Sequence, residues 1–355
     1  MNIAIIGAGA SGLMLGNILS KYNISYDIFN AGKIGRKILL SGNSKCNISN
    51  EILNEDSYHN NYQALNIVKA YQNKLFNLFN DLHIYTKVSD EGRMYPISEA
   101  SEPVLNILLK KIKNNIIEQE VKDIKKINDK YYINDLKKPY DYIIISIGSP
   151  ASMPKIFNNS FIKMNGVIFN EFKPSLIGFK SNKDFSSIKG VRMKCISSLY
   201  KNKKLIHKEK GEVMFKEDGI SGICIMNLSS FYNDLKDKNN TYVHLDLLPG
   251  KSYDDLESIL PPRLFNYVIK NNIDIHNFIV EIKDTYDFEY AQVCHGGVSL
   301  KCLNDDLSLK EDNHIYFTGE VIDVDGICGG YNLMFSFITS IIVGESIHEL
   351  FIKWF

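Results

Sequence analysis

No sign of charge dominates this chain: 41 basic and 41 acidic side chains cancel to a formal net charge of zero. A global field that would draw in a polyanion is therefore absent, and only a local basic face would favour nucleic acid. Cysteine is sparse and dispersed, and Cys46, Cys195, Cys224, Cys294, Cys302 and Cys328 include no C-x-x-C pair. That pattern argues against a zinc site or a secreted disulfide scaffold. It fits a reducing compartment, so a cytoplasmic location and no metal centre are expected. Long hydrophobic runs are also lacking. Residues 3–6 are apolar, but glycines interrupt them at once and no basic flank precedes them, unlike a signal peptide. Residues 333–343 fall far short of the ~20 a membrane span needs, and they read as a buried helix with no membrane partner. Neither an internal repeat nor a low-complexity linker is visible.

What is present suits two or three globular units, since 355 residues exceed one ordinary core. Residues 2–6 read as a strand, 11–21 as a helix and 25–29 as a second strand, the opening of a parallel doubly wound sheet. Residues 33–50 are irregular and polar. Helices are expected at 66–82, with Leu75, Phe76, Leu78 and Phe79 inward, and at 102–117. A hairpin is expected at 121–134 and a buried parallel strand at 142–147, closed by Gly148. Beyond Pro150 the texture changes, and residues 167 to about 243 are short and alternating, predicting a mostly β insertion. Residues 252–282 read as helical, broken at Pro261 and Pro262. A strand at 314–317, a glycine-bearing loop at 319–332 and a final helix at 333–351 follow. The fold class is α/β, with domains at 1–155, 156–290 and 291–355, the first and last forming one Rossmann-like domain.

Three constellations carry chemistry. Gly7-Ala8-Gly9-Ala10-Ser11-Gly12 is a full G-x-G-x-x-G between a predicted strand and a predicted helix. Gly7 permits the turn, Gly9 admits a pyrophosphate, Gly12 lets helix and sheet approach, and Ala10 and Ser11 begin the helix whose amides attract anions. Alone, these glycines do not separate FAD from NAD. The acidic residue expected at the end of the second strand is replaced by Asn30, a weaker acceptor for a ribose hydroxyl. The second constellation runs from Gly35 to Asn47. Arg36, Lys37, Ser41 and Gly42 in it suit a diphosphate, although a solvated basic loop has the same composition. The third is Gly319, Glu320, Asp323 and Asp325, followed by Gly330 and Asn332 before an apolar helix. Acidic groups there suit ribityl hydroxyls, and the helix start suits a reduced flavin's negative charge. Loop capping by Asp323 and Asp325 is the plainer alternative.

These residues resemble the BaiN-type flavoproteins, also labelled aminoacetone-oxidase-like or, for some members, ribosomal-RNA dihydrouridine synthases. GAGASGLMLG, GRKILLSGNSKCNISN, GRMYPISEAS, GEVMFKEDGISG, AQVCHGGVSL and TGEVIDVDGICGGYNLMFSF carry the resemblance over nearly the whole chain. It implies an FAD domain built from both chain ends and an inserted domain with a β-barrel part and a helical part. Gly7, Gly9 and Gly12 would face the FAD diphosphate. Arg36, Lys37, Ser41 and Gly42 would lie along the cofactor, with Cys46 and Asn47 near the isoalloxazine. Glu320, Asp323, Gly330 and Asn332 would close the site, and Gly148 would end a cofactor-facing strand. The chain departs from the family at Asn30, at Asn43-Ser44-Lys45, and after Gly148, where a G-S-T-G segment is missing.

The expected activity is FAD-dependent reduction of an unsaturated acceptor, with NADH or NADPH as a transient reductant. Reduction of a uracil in ribosomal RNA, an amine oxidase, and a degenerate flavin binder are the alternatives. Cys46 and His295 are the candidate proton donors, against inert packing and a structural loop hydrogen bond respectively. Arg93 and Tyr95 are candidates for the substrate side. Arg192, Lys194, Lys201, Lys203, Lys204, Lys208 and Lys210 would give a hairpin one cationic face, suited to RNA phosphates or to solvent. The sequence sets no oligomeric state.

Overall fold

Strands form where apolar, β-branched residues run without interruption. Ile3–Ile6 (β1) is buried at all four positions, as befits a strand covered on both faces. It joins Tyr26–Asn30 (β2), Ile116–Glu118 (β3), Tyr142–Ile145 (β4), Ser308–Leu309 (β5) and Asp312–Phe317 (β6) in a sheet ordered β5-β6-β4-β1-β2-β3. Ile3 registers against Tyr26 on one side and Tyr142 on the other, both parallel, and Ile315 pairs with Ile143. Only β5 runs antiparallel to its neighbour. The two chain ends thus share one sheet, and the α/β, Rossmann-like reading holds.

The computed structural model describes residues 1–59, 61–89, 91–112, 115–250 and 255–354. They fall into two compact units, one formed by residues 1–172 with 296–355 and the other by 173–295. The sequence placed the corresponding boundaries at 155 and 291. Residues 156–168 belong to the first unit because Phe161, Ile162, Met164 and Val167 pack into its core.

Helix α1 (Ala10–Lys21) leaves β1, and α2 (Tyr331–Trp354) closes the chain against it. Ser340 Oγ donates to Ser11 O at 2.9 Å, and a Cβ on Gly344 would stand 2.6 Å from Ile18 Cγ2. α2 is apolar and long enough to cross a membrane by composition, but every residue from Leu333 to Val343 is buried within the unit. It is a core helix, as its sequence predicted. The helix Tyr62–Asp81 buries Leu75 and Phe79, while Phe76 and Leu78 are only partly covered. The helix expected at 102–117 is shorter, Ser101–Leu109, and its expected tail forms β3, where Ile116 and Ile117 pair with Ile28 and Phe29. Residues 113–114 of that expectation lie outside the described residues. The hairpin at 121–134 is present as Ile124–Ile127 paired with Lys130–Ile133.

The second unit is a seven-stranded antiparallel sheet around an aromatic core in which Phe185, Phe215 and Phe278 stack and tilt together. Its two edge strands, Phe278–Glu281 and Asp284–Thr285, are consecutive. Between them Ile282 N donates to Thr241 O at 3.2 Å and Lys283 N to Lys180 O at 2.9 Å, so one stretch of chain serves both edges and the sheet closes like a barrel. Two expectations need correction. Helix Ile223–Asn233 interrupts the predicted β texture. The predicted helix at 252–282 is confined to Pro262–Lys270, because Phe278–Glu281 alternates buried and exposed residues and joins the sheet. Residues 252–254 lie outside the described residues.

Candidate cofactor site

The glycine loop explains its own composition. A Cβ on Gly12 would stand 1.9 Å from the Gly7 carbonyl oxygen, so α1 can lie this close to β1 only without a side chain there. At Gly9 the nearest atom to such a Cβ would be Ser146 O, 4.0 Å away: this position faces open space. No side chain caps α1 at Gly9 and no acidic residue lies in its first turn. The helix therefore presents the positive end of its dipole and its first amides, including those of Ala10 and Ser11, to the same space. Ser11 is pinned from below, its Oγ donating to Thr318 O at 3.4 Å.

Asn30, at the end of β2, is spoken for. Its Oδ1 accepts from Ala8 N at 3.1 Å and its Nδ2 donates to Gly32 O at 2.8 Å. It braces the glycine loop rather than reaching outward, which gives the substitution of the usual carboxylate a structural role.

Gly35, whose N–H donates to Ala8 O at 2.9 Å, starts the short helix Arg36–Leu40 and brings two cations beside the glycine loop. Lys37 Nζ forms an ion pair with Glu320 and donates to Ser149 Oγ at 2.8 Å, while Ser149 Oγ donates to Glu320 Oε2 at 2.9 Å. Three segments far apart in sequence are joined by this triad. Arg36 Nη1 donates to Ser152 O at 3.1 Å, leaving most of its five N–H donors available. Because Glu320 neutralises Lys37, Arg36 supplies the uncompensated positive charge of the group.

Gly7, Gly9, Ala10, Ser11, Asn30, Arg36, Lys37, Gly148 and Glu320 line one cleft with about 1020 Å³ of atom-free space, open solvent included. Sequence reasoning missed part of its wall: Gln119, Glu120 and Val121 beyond β3, and Ser149, Met153, Ile156, Phe157 and Phe161 in the loop that departs from the family. The first group was findable, because ligands on open α/β sheets gather beyond the carboxyl ends of the strands.

The remaining predicted residues lie elsewhere in the same unit, apart from His295. Gly319 backs Ser11, since a Cβ on it would stand 2.6 Å from Ser11 Oγ. Ser41 accepts from Cys46 N at 3.1 Å, and Gly42 sits close to Asn47 N. Cys46 is fully buried, and burial pushes its thiol up to about 11, so it is protonated at neutral pH. A Cβ on Gly330 would stand 2.7 Å from Asn47 Oδ1 and 2.3 Å from Ser49 O, so the structure brings the second and third constellations together. There, Asn47 Oδ1 and Ser49 Oγ are buried without a hydrogen-bond partner. Asp323 receives hydrogen bonds from Gly296 N at 2.9 Å and Asn170 Nδ2 at 2.6 Å, and Asn332 clasps Gly326 through both N–H and C=O. Both side chains thus hold the loop in shape. Arg93 pairs with Glu91, and Tyr95 lies near Gly42. His295 is the last residue of the second unit, with Nε2 3.9 Å from Asp234 Oδ1.

Known proteins share this pattern. Residues 1–346 match the family model described as the HI0933-like protein Rossmann domain. The chain is 27% identical to the 3-dehydro-bile acid delta(4,6)-reductase of Clostridium scindens, covering 98% of this chain and 99% of that one. It is 24% identical to the ribosomal RNA dihydrouridine synthase of Haemophilus influenzae and 22% identical to that of Escherichia coli, in each case over 94% of both chains. With the glycine loop, the Lys37–Glu320 pair and the shared sheet of both chain ends in place, the chain belongs to the HI0933-like family of Rossmann-domain, FAD-dependent oxidoreductases.

Proposed function

We propose that this protein holds FAD along the glycine-loop cleft, takes reducing equivalents from NADH or NADPH, and reduces a conjugated carbon–carbon double bond in a small acceptor. The observation that carries the cofactor half is the joining of Lys37, Ser149 and Glu320 beside an uncapped helix N-terminus and a free-handed Arg36. A diphosphate is the group such a wall suits. The unpartnered Asn47 Oδ1 and Ser49 Oγ next to Gly330 suit the polar edge of a ring, since buried polar atoms in native proteins find partners. The names of the relatives, a reductase and two dihydrouridine synthases, support the direction of the reaction.

FAD, when bound, supplies the two-electron chemistry. The chain does the rest. The first amides of α1 and the Arg36 guanidinium hold and neutralise the diphosphate. Ser149 and Glu320 fix Lys37, so the cation stands in one place instead of sweeping through solvent. The start of α2, just beyond Gly330, has no acidic residue in its first turn and would offer its positive dipole to a bound flavin. Cys46, neutral at working pH, is a poor nucleophile.

The test is acceptor-dependent turnover under argon. NADH or NADPH should be consumed when an α,β-unsaturated ketone is added and spared when its saturated analogue is. Consumption of amines with peroxide formation in air, without any nicotinamide, would replace this reading with an amine oxidase.

A second reading, reduction of uracil in ribosomal RNA, rests on one observation. The register between Arg192–Lys201 and Lys204–Lys216 sets Arg192, Lys194, Lys208 and Lys210 on one face of the hairpin. Glu212 neutralises Arg192 at 2.7 Å, leaving three exposed lysines. Charge reversal at Lys194, Lys208 and Lys210 should flatten the salt dependence of RNA binding if that face is the RNA site. An unchanged slope rules it out.

A further inference from the structure

The second unit holds a pair of reactive side chains that the proposed redox chemistry leaves unused. In its long hairpin Cys195 registers opposite Gly211, and directly opposed residues project from the same face of a sheet. Gly211 contributes no side chain to that face. A Cβ there would stand 3.2 Å from the Cβ of Cys224, which lies in the first turn of helix Ile223–Asn233. Cys224 therefore occupies the space above Gly211 and meets Cys195 across it. Each thiol alters the proton affinity of the other. Ser197, two residues along the same strand and on the same face, and the Ile225 N–H also support the Cys224 sulfur. Both cysteines are buried, at 2% and 0% exposure, and both lie within one unit.

The arrangement is unusual for inert packing thiols, which burial ordinarily leaves protonated. Hydrogen bonding from Cys195, reinforced by Ser197, holds the Cys224 thiol below its ordinary value despite burial. The bond to Cys224, together with burial, pushes Cys195 up. The two sulfurs thus act on each other across the gap that Gly211 leaves open. We propose that Cys195 and Cys224 form an oxidisable dithiol that closes into an intramolecular disulfide on exposure to hydrogen peroxide.

The chemistry balances in two steps. The Cys224 thiol gives up its proton and its sulfur attacks one peroxide oxygen, the O–O bond breaks, and the leaving hydroxide takes up that proton as water, giving a sulfenic acid at Cys224. The Cys195 sulfur then attacks the Cys224 sulfur, the S–S bond forms, the S–O bond breaks, and the departing hydroxide takes the Cys195 proton as water. Two thiols lose two electrons, and peroxide is reduced to two waters. The product staples helix Ile223–Asn233 to strand Arg192–Lys201.

The test uses the full-length, FAD-loaded protein treated with hydrogen peroxide, then denatured in acid, alkylated and digested for mass spectrometry. The expected result is a cross-linked peptide joining Cys195 to Cys224, lost on reduction with dithiothreitol, with two fewer alkylatable thiols per chain. In Cys195→Ser, dimedone should trap a sulfenic acid at Cys224, which identifies the attacking sulfur. Recovery of Cys195 and Cys224 as alkylatable thiols while the more exposed Cys328 is oxidised would overturn the proposal. So would a cross-link from either cysteine to Cys294, Cys302 or Cys328. The wild-type cross-link map decides the matter even if the serine variant fails to fold.

Discussion

Replacing Gly12 with alanine puts a methyl carbon 1.9 Å from the Gly7 carbonyl oxygen, backbone against side chain with no flexible group to yield. Helix α1 must move outward and carry its first amides away from the cleft. The Gly12→Ala protein should lose about 1–3 kcal/mol of stability and release FAD on desalting. Chemical denaturation and the visible spectrum measure the two losses, and an unaltered flavin-to-protein ratio would show that the loop does not hold the cofactor. Cys46 offers a prediction with a sign. Burial raises its folded pKa from 9.0 to about 11, so the folded chain binds that proton more tightly than the unfolded chain. The associated stability is fully present below the unfolded value and is lost as pH rises toward 11. Between those limits the wild-type melting temperature should fall more steeply with pH than that of Cys46→Ala, and parallel slopes would refute the assignment. At this scale the sequence was legible where backbone geometry demands one residue type, as at Gly7, Gly9 and Gly12. It was silent where a side chain has two uses. Nothing in the letters says that Asn30 is held by Ala8 and Gly32, or which groups, Gly296 and Asn170, the loop capping open to Asp323 would engage.

Among the elements, α1 and α2 make the contact that unites the chain ends. Gly344 allows it, because a Cβ there would stand 2.6 Å from Ile18 Cγ2. Gly344→Val should cost on the order of 2 kcal/mol, seen as a lower urea midpoint with an unchanged slope. A variant as stable as the wild type would mean that the helices have room to part. Elements with one clear period were readable: the all-apolar β4, the buried α2 and the long helix Tyr62–Asp81. Helix Ile223–Asn233 was not, because the Gly-Ile-Ser-Gly-Ile-Cys-Ile pattern alternates like a strand; the helix starts at Gly222, whose φ of +105° is invisible in sequence. The stretch after Pro262 misled in the opposite way. Its apolar residues continue past Lys270, but Phe278 and Val280 alternate with exposed Ile279 and Glu281 and belong to the sheet.

For the whole molecule, long-range pairing makes the cofactor cleft. Its walls come from residues near 7, 30, 37, 120, 148 and 320, gathered because β6 pairs with β4 and Glu320 with Lys37. The motifs announced its glycine loop, Arg36, Lys37 and Glu320, while Cys46, Asn47, Asp323, Gly330 and Asn332 stand outside its lining; the loop 150–161 could not be placed from sequence, since it lacks the family pattern and has no period, yet it lines the cleft with Met153, Ile156, Phe157 and Phe161. The central claim is that this assembly holds a flavin which a nicotinamide reduces. The direct measurement is an anaerobic titration of the FAD-loaded, desalted protein with NADH and with NADPH, following the visible flavin band. The account predicts that the band bleaches with one equivalent of at least one of the two nucleotides and returns when an enone is admitted. A bound flavin that stays oxidised in excess of both would contradict it.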